Sequence, residues 1–235
     1  MNYTKIIAAK ELKSYFTSPA AYILLSIFLL ISGWFFANPL FLINQAELRS
    51  LFNVIPWIFI VLIPATTMGL LAKERETGTI ELISTFPMQK SSIIMGKFFA
   101  SVGMISFALL FTFVHLFTII FLGTNIDFGA IFCGYFGLIL LTGMYSAIGI
   151  FASSLTKNQI VAFILSFFII LVLYLIQFTL IFIPDWLAGF LQYISIGYHF
   201  SNLSKGVIDT RNIIYFLSMT ALFLKLAVTI LESEK

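Results

Sequence analysis

Six long apolar runs dictate what this chain can become: residues 20–41, 52–71, 98–122, 128–155, 160–183 and 213–231 carry almost no charge. A helix rising about 1.5 Å per residue needs about 20 such residues to cross a hydrocarbon core of about 30 Å, and each run reaches that length. Soluble domains are roughly one quarter charged, whereas here 10% of residues are charged, 60% are hydrophobic and the mean hydropathy is +1.06. No water-soluble fold hides that much apolar surface. The expected class is an all-α polytopic membrane protein with six transmembrane helices, and 235 residues leave room for one transmembrane domain and short connections. The basic segment 1–19 precedes an apolar run longer than the core of a signal peptide, with no small-residue cleavage pattern after it, so the first span is expected to be retained. The single cysteine, Cys133, lies within an apolar run and has no partner for a disulfide in the chain.

Lysine and arginine set the expected orientation, because loops on the cytoplasmic side are enriched in them. With the N-terminus inside, Lys5, Lys10, Lys13, Lys73, Arg75, Lys90, Lys97, Lys157 and Lys235 face the cytoplasm, and only Arg49, Lys205 and Arg211 face out. Nine against three puts both termini in the cytoplasm of a multi-pass protein of the bacterial inner membrane. Lys225 lies inside the last span near its inner end, where its long stem can snorkel to the headgroups.

Two connections stand apart from the rest. Residues 72–97 form the one sizeable cytoplasmic loop, and within it residues 77–86, bounded by Pro87, read as a short helix with Ile80, Leu82, Ile83 and Phe86 apolar and Glu81 polar. Such an element either docks a partner or lies on lipid headgroups. On the opposite side, residues 184–212 place Trp186, Phe190, Tyr193 and Ile194 at helical spacing, and a second helical stretch is expected over 199–207. Interfacial aromatics favour the headgroup region, so this pair reads as re-entrant helices forming a lid, or as an ordinary aromatic belt. In the fourth span Ala130 with Gly134, Gly143 with Ala147 and Gly149 with Ser153 are small-residue pairs of the kind that let helices pack closely in lipid.

Much chemistry is missing. Around Gly96 and Lys97, Ser91 and Phe98 stand where a phosphate loop needs a glycine and a hydroxyl, so the chain is not expected to hydrolyse ATP by itself. His115 and His199 are far apart and no metal-ligand spacing occurs. No serine sits in a nucleophile elbow. Only His115 and Lys225 ionise within spans and no carboxylate does, which disfavours an ion-coupled carrier. A net charge of +3 does not suggest nucleic acid.

Three segments carry a family resemblance. They are KELKSYFTSPAAY at 10–22, KERETGTIELISTFPMQKSSIIMGK at 73–97, and GYHFSNLSKGVIDTRNIIYFLSMTALFL at 197–224. Together they resemble the type-2 ABC transporter permeases, and within that superfamily the gliding-motility-associated permease subunits. The resemblance implies that two permease subunits, as a homodimer or a related heterodimer, form an export pathway, each docked on a separate ATP-binding subunit that holds ATP and Mg. It implies a connecting helix containing Lys10, Glu11 and Lys13, and a coupling helix in 73–97 with Glu74, Arg75, Glu76, Gly78, Thr79, Glu81, Leu82 and Pro87 as its motif. It also implies outer re-entrant helices carrying Trp186, Phe190, Tyr193, Tyr198 and His199. Thr66, Thr67, Tyr174, Gln177 and Thr179 are polar groups within spans that could face a pathway. The competing reading is a membrane assembly or anchoring subunit of a motility or envelope complex that moves nothing. A largely apolar interface suits a lipid-linked, polymeric or amphipathic cargo, and membrane lipid is a standing partner in either case.

Overall fold

The computed structural model describes residues 3–42, 48–80, 88–122 and 127–233, and among these it holds eleven α-helices, one 3-10 turn and no strand. Helix α1 is Tyr3–Thr17 and α2 is Pro19–Leu42. Helix α3, Arg49–Thr67, is followed after a break by α4, Gly69–Glu76. Helix α5, Lys90–Phe111, is likewise continued by α6, Phe113–Leu122. Then come α7, Phe128–Leu155, α8, Gln159–Thr179, α9, Asp185–Ile194, α10, Ile196–Ser204, and α11, Thr210–Ser233. Six of these stretches are long and apolar enough to span a bilayer: α2, α3 with α4, α5 with α6, α7, α8 and α11. The all-helical class follows from the solvent, since backbone polar groups in lipid have to be satisfied within each segment.

Several boundaries differ from the sequence reading. The connecting helix, expected within 1–19 and leading into the first span, is Tyr3–Thr17 and stops at Ser18, because a residue before proline avoids helical backbone while Pro19 fits the first position of a new helix. The second span, expected to end at 71, continues to Glu76, and the third starts at Lys90 rather than 98. Hydropathy marks where lipid begins, not where a helix does. The third span, Lys90–Leu122, is 33 residues, about 50 Å of helix against a core of about 30 Å, so a substantial part of it overhangs. The fifth span becomes a 3-10 turn at Leu180–Phe182, and the second outer helix is Ile196–Ser204 instead of 199–207. Most of the expected 77–86 helix, with Glu81, Leu82 and Pro87, lies outside the described residues.

Helix α7 is the axis of the bundle. It is buried along most of its length and packs on α3, α5, α8, α10 and α11. Asp127 caps its start by accepting from Ala130 N at 3.1 Å. Its small residues set specific approaches: a Cβ on Gly134 would fall 2.4 Å from the Phe52 ring, and one on Gly149 only 2.0 Å from Thr67 Oγ1. Four residues beyond Gly149, Ser153 Oγ accepts from Leu71 N and Ala72 N at 3.0 and 2.9 Å and donates to Met68 O at 2.7 Å. It thereby satisfies backbone groups freed where α3 breaks into α4. The termini-bearing end of the bundle gathers α1, the end of α4, the foot of α5 and the end of α11, whose Leu231 carbonyl accepts from Lys90 Nζ.

Candidate functional site

At the termini-bearing end, α1 lies along α5 from Gly96 to Phe107. The residues of α1 that turn toward it recur as Ile7 and Ala8, Glu11 and Leu12, and Tyr15 and Phe16, while Lys5, Lys10 and Lys13 are exposed. Lys5, which shares a helical-wheel sector with Leu12 and Phe16, therefore ends at the edge of the buried face. Close approach depends on glycine: a Cβ on Gly96 would stand 2.7 Å from Ile7 Cβ and Cγ2 and 3.0 Å from Thr4 O. Gly103 receives Leu12 in the same manner, with a contact of 3.4 Å, and Phe16 meets Phe107 edge to face at 5.0 Å.

One turn of this contact is ionic. Lys97 is 1% exposed, and its Nζ donates to Glu11 Oε1 of α1 at 3.0 Å and to Glu74 Oε1 of α4 at 2.7 Å. A lysine this buried needs its charge countered, and here two carboxylates from two different helices do so. Glu74 Oε2 is buried and accepts no hydrogen bond. Beside the cluster Tyr15 donates its hydroxyl to the Thr66 carbonyl at 2.8 Å. Burial, and secondarily the Glu11 carboxylate, push the Tyr15 hydroxyl well above the usual phenol range, so it stays a donor. One side chain thus ties together the connecting helix, the end of the second span and the start of the third.

The hairpin beyond α4 opens with a glycine turn. Gly78 has φ of +71°, a left-handed conformation that ends the helix and that a residue with a Cβ resists. Thr77 Oγ1 donates to Lys73 O at 3.0 Å and Thr79 Oγ1 to Glu74 O at 3.2 Å, so the Thr-Gly-Thr segment covers the last carbonyls of α4. Glu76, Gly78 and Thr79 are exposed, whereas Arg75 is buried and Glu74 turns inward to Lys97. The carboxylates of the motif are therefore not equivalent: Glu74 belongs to the interior cluster and Glu76 faces outward, with Gln159 Nε2 at 3.4 Å.

At the far end, α9 and α10 follow one another across the extended backbone of Ser195. Along α10 and the residues after it, Leu203 packs at Gly137 and Gly206 at Ala130, so the chain climbs α7 from a depth of nine residues, about 13 Å below Phe128. Trp186, Phe190 and Tyr193 point away from the bundle, with Trp186 80% exposed, and Tyr198 is partly exposed. His199 is buried instead: its ring stacks on Tyr215 at 4.0 Å, Nδ1 lies 2.7 Å from Asn212 Oδ1 and Nε2 3.3 Å from Tyr193 O.

The polar groups within spans separate into two sets. Thr66 and Thr67 hydroxyls donate back to Ile63 O at 2.9 and 2.8 Å, near the break in the second span. Tyr174 and Gln177 instead line a cavity of about 220 Å³ at the far end, together with Asn53 and Trp57 of α3 and Ser201 of α10. Thr179 donates to Ile176 O at 2.8 Å. Sequence reasoning assigned no site role to Lys97, Gly96 or Ser153. Adjacent Gly96 and Lys97 were the available signal: a glycine for close approach beside a lysine at the foot of a span.

Six helices long and apolar enough to span a bilayer, with α1 bridged to the end of α4 and the foot of α5, define a multi-pass membrane protein. The defining pattern of the ABC-2 family transporter proteins matches residues 5–234, and the chain belongs to that family as the permease of an ABC transporter. The comparison with curated proteins returns no match.

Proposed function

We propose that this chain is the export permease subunit of a type-2 ABC transporter, working as a homodimer or related heterodimer, with ATP and Mg held by a separate ATP-binding subunit docked on the hairpin after α4. Both termini and that hairpin face the cytoplasm of the inner membrane in this reading. Service in gliding motility is the finer assignment, carried only by the resemblance in 10–22, 73–97 and 197–224.

The observation that carries the proposal is the Lys97 bridge to Glu11 and Glu74. A partner that closes on ATP moves spans only through a stiff element. The bridge makes α1, the end of α4 and the foot of α5 one such element, so a push on the exposed Glu76 to Thr79 turn reaches the second and third spans together. Glu76, Gly78 and Thr79 offer the outward surface, while Glu74 and Lys97 stiffen it from within; by the resemblance Glu81, Leu82 and Pro87 belong to the same docking motif.

Copurification of the ATPase subunit tests this. Reversal at Glu76 or Glu81 should reduce the recovered ATPase by roughly tenfold, about 1.4 kcal/mol, with the permease itself intact. Unchanged recovery with both reversals combined would sink the docking role. Vesicles holding both subunits should hydrolyse ATP at a rate that responds to cargo.

A further inference from the structure

The far-end cavity has a composition that points to a ligand class. Among its lining residues none carries a charge, although five bring an amide or a hydroxyl: Asn53, Tyr174, Gln177, Ser201 and Ser204. Amides and hydroxyls provide donors and acceptors together. The remaining wall is aromatic, with Trp57 against Tyr174 at 4.9 Å edge to face and against Phe178 at 6.0 Å. Trp57 and Phe178 are 42% and 49% exposed, so the cavity opens sideways from the bundle between α3 and α8. Asn53 is one turn from the start of α3 and Gln177 two residues from the end of α8, so the cavity sits near the far ends of both helices, level with Gly134 and Gly137 of α7, which meet Phe52 and Phe200.

These features restrict what can enter. A charged group would arrive in a partly desolvated site with no counter-charge, which is costly. The absence of a carboxylate also argues against a cationic headgroup held in an aromatic cage. A purely apolar group would strip water from the exposed Asn53 amide without replacing it, whereas Gln177 already meets the Tyr174 hydroxyl. The volume equals about seven waters at about 30 Å³ each, enough for one ring-sized group and too small for a polymer segment. A pyranose fits every term, because its C–H faces lie on aromatic rings while its hydroxyls both donate and accept.

We propose that this cavity binds one uncharged, hydroxyl-bearing ring, a hexose-type sugar unit, as the recognition element of the cargo. The assignment rests on reading the chain as an export permease. The sugar can be borne by a lipid entering sideways from the leaflet or be free in solution, and the experiment separates the two.

The full chain carrying Trp34→Phe and Trp186→Phe keeps Trp57 as its one tryptophan. In nanodiscs of phosphatidylethanolamine and phosphatidylglycerol, its emission is followed while monoglucosyl diacylglycerol, diacylglycerol or phosphatidylcholine is incorporated, or while glucose is added. A saturable change with the glucolipid alone identifies a lipid-borne sugar, and one with glucose as well identifies the free ring. Either supports the site, provided Asn53→Ala raises the half-saturation at least fivefold, with Gln177→Ala as the second variant. Asn53 is exposed, so its variant is read even if Gln177→Ala disturbs packing on Gly197. No saturation with either sugar, an equal response to diacylglycerol or phosphatidylcholine, or indifference to Asn53→Ala overturns the assignment. Binding is read without nucleotide, so a missing sugar response beside intact ATPase recruitment removes the sugar site and leaves the permease reading in place.

Discussion

Lys97 is the residue on which the termini-bearing end depends, and its substitution separates charge balance from packing. Lys97→Met keeps most of the volume but takes the buried cation from between the carboxylates of Glu11 and Glu74, leaving Glu11 with the exposed Lys10 at 4.0 Å. Removing one member of a buried ionic cluster typically costs about 3–5 kcal/mol. Glu11→Gln should cost less, since Lys97 keeps Glu74 and the Glu11 side chain is 14% exposed. Thermal unfolding in detergent should rank Lys97→Met below Glu11→Gln below the parent, and equal midpoints for the two variants would contradict the bridge. Gly96→Ala tests packing at the adjacent position. Its Cβ would sit 2.7 Å from Ile7, and α1 backbone at Thr4 O is only 3.0 Å away, so α1 has to lift. Overpacking of this kind costs about 1–3 kcal/mol. A disulfide engineered between α1 and the first turns of α5 should therefore form more slowly in the Gly96→Ala background.

At the scale of elements, the second span is the one with a built-in break, and the fourth span holds it. Pro64 lacks an N–H, and after Met68 the helix restarts with Leu71 N and Ala72 N both donating to Ser153. Ser153→Ala strands these groups in a buried place, at about 1–3 kcal/mol for the set. It should lower the thermal midpoint more than Ser201→Ala, whose hydroxyl only returns to its own helix at Tyr198 O. This job was partly legible in the sequence. The small pair Gly149 and Ser153 was readable as close packing, since α7 had to approach something; that Ser153 would cap a distant helix break was not, because the partner lies 81 to 85 residues away. The same contrast holds elsewhere. Runs of apolar residues announced six helices because lipid permits little else. The Lys97 bridge spans separations of 86 and 23 residues and exists only because α1 folds back on α5, so no local pattern announces it.

For the whole molecule, orientation decides whether the Lys97 cluster can serve a cytoplasmic engine. Of the described bases, Lys5, Lys10, Lys13, Lys73, Arg75, Lys90, Lys97 and Lys157 sit toward the termini-bearing end, and Arg49, Lys205 and Arg211 sit toward the other. Arg75 and Lys97 are buried, yet discarding both still leaves six against three, and the rule concerns charge near span ends rather than exposure. The far end, conversely, carries the aromatic α9, whose Trp186, Phe190 and Tyr193 suit a headgroup zone. Cysteine accessibility resolves this directly, because the native Cys133 is buried and contributes little background. Thr79→Cys places a thiol on the exposed turn after α4, and Gly189→Cys places one on α9, where nothing lies within 4 Å of a new Cβ. In intact cells a membrane-impermeant maleimide should label position 189 and spare position 79, and permeabilisation should make both react. The reverse pattern would put the Lys97 cluster on the side without ATP, and a hairpin there could not be driven by an ATPase however well it is braced.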